Sequence, residues 1–264
     1  MLLMHGLTAT RRYVVMGSKA LERAGHRVVL YDARGHGESS PAETRSAYEY
    51  ADLAADAVAV LDELGIERAV LAGASMGAHT AARVALESPG RVAGLVLVTP
   101  AFMPGARDED ELARWDRLAE GLRSGGVEGF VEAYGVPRVP EAYRATVIKV
   151  IRQRLSAHQH PGAVADALEV VPRSEAFESL DELGSIAVPV TVVPSRDEAD
   201  PGHPFAVGEA YAEAIAGAEL VTEDAGKSPL AWQGGQLSRV IAAVIDRAGV
   251  HEDLSRSTRM KRGR

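Results

Sequence analysis

"VLAGASMGAHTAARVAL", residues 70–86, reads as a strand, the five-residue turn Gly73-Ala74-Ser75-Met76-Gly77, and then a helix. A Gly-x-Ser-x-Gly string alone is weak evidence, but this one falls where a strand must reverse sharply into a helix. Such a turn forces Ser75 into a strained backbone conformation, and glycines two before and two after leave room to approach it. The hydroxyl is thereby displayed, and the helix N-terminus beneath it favours developing negative charge. A serine could fill a tight turn for packing alone, yet strained turns are rarely kept without a use.

Outward from this stretch, apolar runs of strand length alternate with amphipathic segments of helix length, the pattern of βαβ units in a mainly parallel sheet. "RVVLYD" (27–32), "RAVLAG" (68–73), "VAGLVLVTP" (92–100) and "VPVTVVPS" (188–195) are the clearest strands, and "AELVT" (218–222) is a further one. These runs are continuous rather than alternating, as strands covered on both faces require. "YADLAADAVAVLDELG" (50–65) sets Leu53, Ala57, Val60, Leu61 and Leu64 on one helical stripe ending at Gly65, a C-cap. After Pro100 some eighty residues are polar and helix-like. The expected organisation is an α/β core over 1–101 and 186–250, a helical cap inserted at 102–185, and a tail at 251–264.

The chain has 264 residues, 46% of them hydrophobic, enough for one sizeable core. It has no cysteine, which excludes disulfides, a thiolate nucleophile and cysteine-ligated zinc. The start lacks a basic region followed by a long apolar run, and no stretch of membrane-spanning length occurs, so a soluble cytoplasmic protein is expected. The formal charge is −8. The tail "HEDLSRSTRMKRGR" holds five Lys/Arg against two Asp/Glu, a surplus of three that leaves −11 on the rest. An acidic body argues against nucleic acid as a partner, and the basic tail reads as a solvated, disordered end.

Three motifs together resemble the α/β-hydrolase superfamily: "LLMHGLTAT" (2–10) its His-Gly segment, "YDARGHGES" (31–39) the loop after its next strand, and "GASMG" its nucleophile elbow. The resemblance covers nearly the whole chain apart from the insertion. It implies Ser75 as nucleophile, with the N–H groups of Leu7 and Met76 as the oxyanion hole. It places the acid in "PSRDEADPGHP" (194–204), where Asp200 has the Asp-Pro-x-x-Pro spacing and is preferred over Asp197, which with Glu198 lies closer to the strand end. The family's histidine should stand before Ser228-Pro229, and Lys227 stands there instead.

A lysine acting as base must be neutral, so burial must lower its pKa by several units from about 10.4. A facing carboxylate pushes the other way, so an Asp200–Lys227 pair would be an ion pair and the lysine a poor base. Among other histidines, His203 beside the proposed acid is the best replacement. His79, one turn below the elbow, is expected to point away from the cleft. The resemblance gives His5 and His36 packing roles, while His158 and His160 form an H-x-H lacking a third ligand. Trp115, Tyr134 and Tyr143 could line a pocket under the cap.

No cofactor or metal is expected. The expected function is action on an ester, lactone or related carbonyl of a small-molecule substrate through Ser75. The alternatives are a lyase or cyclase using the same pocket, or an inactive binding homologue. Because the His-Gly motif stands at residues 5 and 6, the two strands that normally precede it in the family are missing. "RVVLYD" should then border the sheet, an exposed edge that invites a homo-oligomer unless Met1 is not the true start.

Overall fold

A computed structural model of the chain describes residues 1–105, 108–196 and 200–249. Its strands are β1 (Leu2–Met4), β2 (Val29–Leu30), β3 (Ala69–Ala74), β4 (Val92–Val98), β5 (Val190–Val193) and β6 (Glu219–Leu220). They form one sheet in the order β2-β1-β3-β4-β5-β6, every neighbouring pair parallel. The longest strands lie at its centre, where β3 and β4 are buried almost throughout. That is why their sequences are unbroken apolar runs, as a sheet covered on both faces demands.

One face is covered by α2 (Tyr50–Glu63), α3 (Met76–Glu87) and α7 (Phe205–Ala214), which pack Leu53, Ala57, Leu61, Ala81 and Tyr211 against Leu71, Leu95 and Val192. The other takes α8 (Gly234–Ala248), with Leu237, Ile241 and Val244 on Val70, Val96 and Val193, joined by the short α1 (Ala20–Arg23). In α2 the expected stripe holds for Leu53, Ala57 and Leu61, but Leu64 is exposed. The helix stops one residue earlier, because the N–H of Ile66 reaches the Leu61 carbonyl at 2.8 Å while Gly65 turns left-handed at φ 62.

"RVVLYD" does border the sheet, although only Val29 and Leu30 are paired there. Between β4 and β5 the described chain is helical: α4 (Glu109–Tyr134), α5 (Glu141–Leu155) and α6 (Pro161–Val170), followed by short 3-10 turns. α4 is two helices broken at Gly126, whose φ of 59 no interior helical residue adopts. The halves cross where a Cβ on Gly129 would stand 2.2 Å from the Gly121 carbonyl oxygen, so only glycine allows that approach. These helices share a small core of Leu118, Leu122, Phe130, Leu155 and Leu168. α6 faces two ways, since its Ala163 and Ala167 belong to the main core and its Val164 and Leu168 to the smaller one. Farther on, Phe177, Leu183 and Ile186 already pack into the main core. Among the described residues no helix is long and apolar enough to cross a membrane. The tail at 251–264 lies outside the described residues.

Candidate active site

Ser75 stands between β3 and α3 at φ 52 and ψ −116, a region costing an ordinary residue roughly 1–3 kcal/mol. It is held there by its own N–H on the Val98 carbonyl at 2.9 Å and by its carbonyl, which accepts from Ala78 and His79. The flanking glycines are required by backbone contact. A Cβ on Gly73 would meet the Gly77 carbonyl oxygen at 2.0 Å, and one on Gly77 would meet the Met4 oxygen at 2.3 Å. Gly73→Ala is therefore expected to cost roughly 3 kcal/mol or more, near the upper end for overpacking. The melting temperature should fall by about 6–12 °C, measured by calorimetry. An unchanged melting temperature would mean that strand and helix can part at the elbow without loss.

The N–H of Met76, at the first position of α3, is among those a helix leaves free. Leu7 lies in a turn closed by the Ala9 N–H on the Gly6 carbonyl at 3.0 Å, and among the described residues its own N–H donates to no loop carbonyl. Thr8, next along, is left-handed at φ 69, and its carbonyl accepts from His158 Nε2 at 3.0 Å. Both donors thus border a cavity of about 1650 Å³ that Ser75, Asp200, His203, Arg154 and Lys227 also line. Trp115, Tyr134 and Tyr143 from α4 and α5 form part of its far wall.

The structure brings Asp200 together with His203, whose Nδ1 lies 2.8 Å from Oδ2. It does not bring Asp200 to Lys227. That lysine is exposed, and among the described residues its side chain has no hydrogen bond or ion pair, so the expected Asp200–Lys227 pair is not formed. The reason is local: a three-residue separation lets His203 fold back on Asp200, and the His203 N–H also reaches the Asp200 carbonyl at 3.2 Å. Asp197 and Glu198 lie outside the described residues.

His79, His5 and His158 are held by structural hydrogen bonds. His79 borders the cavity rather than pointing away, but Nδ1 is 2.8 Å from the Tyr50 hydroxyl and Nε2 accepts from the Ala101 and Phe102 N–H groups. Burial lowers its pKa to about 3. His5 donates from Nδ1 to the Gly6 carbonyl and accepts the Ala33 N–H at Nε2. His158 is bonded to Gly37 N–H and Thr8 carbonyl, which leaves neither nitrogen for a metal.

Two groups escaped the sequence reading. Glu223 is buried beside the acid loop, accepting from the Arg196 N–H at 2.7 Å and the Thr222 hydroxyl at 2.9 Å. Burial pushes its pKa up, but those donors and nearby backbone N–H groups outweigh it, leaving the carboxyl below its ordinary value. It staples the two loops that carry Asp200 and Lys227. The other is Arg154 of α5, whose guanidinium carbon lies 5.4 Å from the Tyr13 ring centre and 5.8 Å from that of Trp232.

The chain is 34% identical over 182 residues to a putative carbamate hydrolase, RutD, of Variovorax paradoxus, a match covering 68% of this chain and 66% of that protein. It is 42% identical over 83 residues to epoxide hydrolase B of Mycobacterium tuberculosis, covering 31% of this chain and 23% of that one. The matched part thus spans just under two thirds of the first relative and about a quarter of the second. Among solved structures it is similar to a thermophilic esterase from Thermogutta terrifontis, with a TM-score of 0.75, 26% identity, and 94% of this chain and 90% of that one covered. A hydrolase from Pseudomonas aeruginosa PA01 is similar at a TM-score of 0.66 and 28% identity, covering 94% and 89%. The model of the alpha/beta hydrolase fold family matches residues 1–137, more than half of the chain. With the parallel sheet and the strained serine turn between β3 and α3, this shows that the chain belongs to the alpha/beta hydrolase fold family.

Proposed function

We propose that the protein hydrolyses an ester, lactone or related carbonyl of a small molecule, with Ser75 as nucleophile and the Asp200–His203 pair as its base. The observation that carries this reading is the meeting of the strained Ser75 elbow and the Asp200–His203 pair on one cavity. The similarity to a putative carbamate hydrolase and to an esterase supports it.

In the reaction Ser75 Oγ attacks the carbonyl carbon as its proton passes to His203 Nε2, directly or through one water. Asp200 accepts from Nδ1, which fixes the ring's tautomer and stabilises the imidazolium. The oxyanion takes the N–H groups of Leu7 and Met76, worth roughly 3 kcal/mol per donor in a site closed to water. Collapse breaks the bond to the leaving oxygen, which takes the proton from His203, and water then frees the acyl group by the same steps in reverse. Lys227 lies outside this path, because its exposed side chain makes no hydrogen bond or ion pair among the described residues, whereas Asp200 is joined to His203.

The test compares two alanine variants on an activated ester. His203→Ala should lower kcat by roughly 10²–10⁴-fold, and Lys227→Ala should stay within about threefold of the parent. A larger loss in Lys227→Ala would move the base to the lysine. An activated phosphonate ester should label Ser75. A folded protein that resists the label would make the cavity a binding site or the seat of a reaction without an acyl-enzyme.

A further inference from the structure

Among the described residues, three side-chain polar atoms are buried without a hydrogen-bond partner: His36 Nε2, Arg83 Nε and Arg154 Nε. The charge of Arg83 is answered by Glu87 at 2.6 Å, and burial lowers His36 to about 3, so that ring stays neutral. Arg154 differs from both. Burial pushes its pKa down, which the Asp200 charge partly opposes, and the guanidinium, a cation by type, lines the cavity that holds Ser75 and among the described residues forms no ion pair. Asp200 attracts it from a distance, but that carboxylate gives Oδ2 to His203. Two residues earlier on the same helix, Arg152 points outward and holds Glu128 with both arms, at 2.8 and 2.7 Å. α5 therefore presents a paired arginine to solvent and an unpaired one to the cavity.

A buried guanidinium N–H without an acceptor is costly, and it is tolerated where a ligand supplies the acceptor and the counter-charge. Tyr13 and Trp232 flank the guanidinium and hold it against the cavity wall, leaving in-plane N–H donors for a planar oxygen pair. A planar, singly charged carboxylate matches that fork, and with Asp200 close by it meets less repulsion than a phosphate dianion would. We infer that Arg154 binds a carboxylate of the substrate, so that the bond attacked by Ser75 belongs to a molecule bearing a second, ionised acid group. This specificity rests on the hydrolytic reading above, but the anion site can be tested apart from it.

The experiment measures kcat/KM for monomethyl glutarate and for dimethyl glutarate, an anionic and a neutral ester of one acid. Arg154→Gln should cut the anionic-over-neutral ratio by roughly 10- to 100-fold, the loss expected for one charge-assisted fork. Arg154→Lys, which keeps charge and stem, should fall between, and it supplies the comparison if Arg154→Gln does not fold. A ratio unchanged in a folded variant overturns the inference. Independently, monomethyl glutarate titrated calorimetrically into Ser75→Ala should bind, and adding Arg154→Gln should weaken its Kd about tenfold or more. No binding by Ser75→Ala, or binding that ignores Arg154, overturns the site. Binding that depends on Arg154 without turnover of either ester sustains the anion site and sinks the hydrolytic reading.

Discussion

Ser75→Ala is expected to lose roughly 10⁴–10⁶-fold in kcat on an activated ester, the scale on which removing a serine nucleophile acts. The variant keeps a Cβ at φ 52, so the backbone strain remains and the melting temperature should hold close to that of the parent. Both oxyanion donors are backbone N–H groups that the substitution does not touch, so residual catalysis should persist above the uncatalysed rate. Ser75→Gly separates strain from chemistry. It should be as inactive as Ser75→Ala but more stable by about 1 kcal/mol, or about 2–4 °C, because glycine relaxes at this φ. If Ser75→Ala kept full turnover, the nucleophile would lie elsewhere.

Acid should unfold the protein steeply from below pH 6.5. His5, His36 and His79 are buried, and burial lowers their pKa values to about 4, 3 and 3. In the unfolded chain each titrates near 6.5. Below that pH the unfolded chain binds protons that the folded one refuses, so stability is complete above 6.5 and is lost as the pH falls toward 4 to 3. Each ring contributes about 1.4 kcal/mol per pH unit, on the order of 4 for the three together, against a total stability of about 5–15. Between pH 6.5 and 5 ordinary carboxylates scarcely titrate, so urea unfolding at pH 7, 6 and 5 isolates the histidines. A flat curve over that window would mean that these rings accept protons inside the fold.

The strands β3, β4 and β5 were legible because each buries both faces and so has an unbroken apolar run; "RVVLYD" was legible too, though only Val29 and Leu30 of it pair, whereas β1 is three residues long and leaves little pattern. The serine turn was legible for another reason: strand, glycines, serine and helix are contiguous, so the local chain determines the geometry. The acid's partner was legible only as a choice, with His203 three residues on as the best replacement and Lys227 at the family's histidine position. His203 lies within one turn of Asp200, but whether Lys227 also comes near depends on how a loop from a different strand settles, and period and propensity carry no information on that. Arg154 was less visible still, since Tyr13 and Trp232, the rings that make it a site, come from opposite ends of the chain. His79 shows the same limit in reverse. Helical spacing placed it beneath the elbow, but the burial that keeps it neutral and the Ala101 and Phe102 N–H groups that occupy its Nε2 come from the tertiary fold.

α6 carries one more consequence. With Ala163 and Ala167 in one core and Val164 and Leu168 in the other, it is a wall common to two rooms, and a wall of that kind cannot be hinged. Swinging the helices over the cavity aside as one body would tear Ala163 and Ala167 out of the main core. Traffic into the cavity must then pass through small yielding parts at its rim, such as the left-handed corner at Gly105, and not through a door that opens whole.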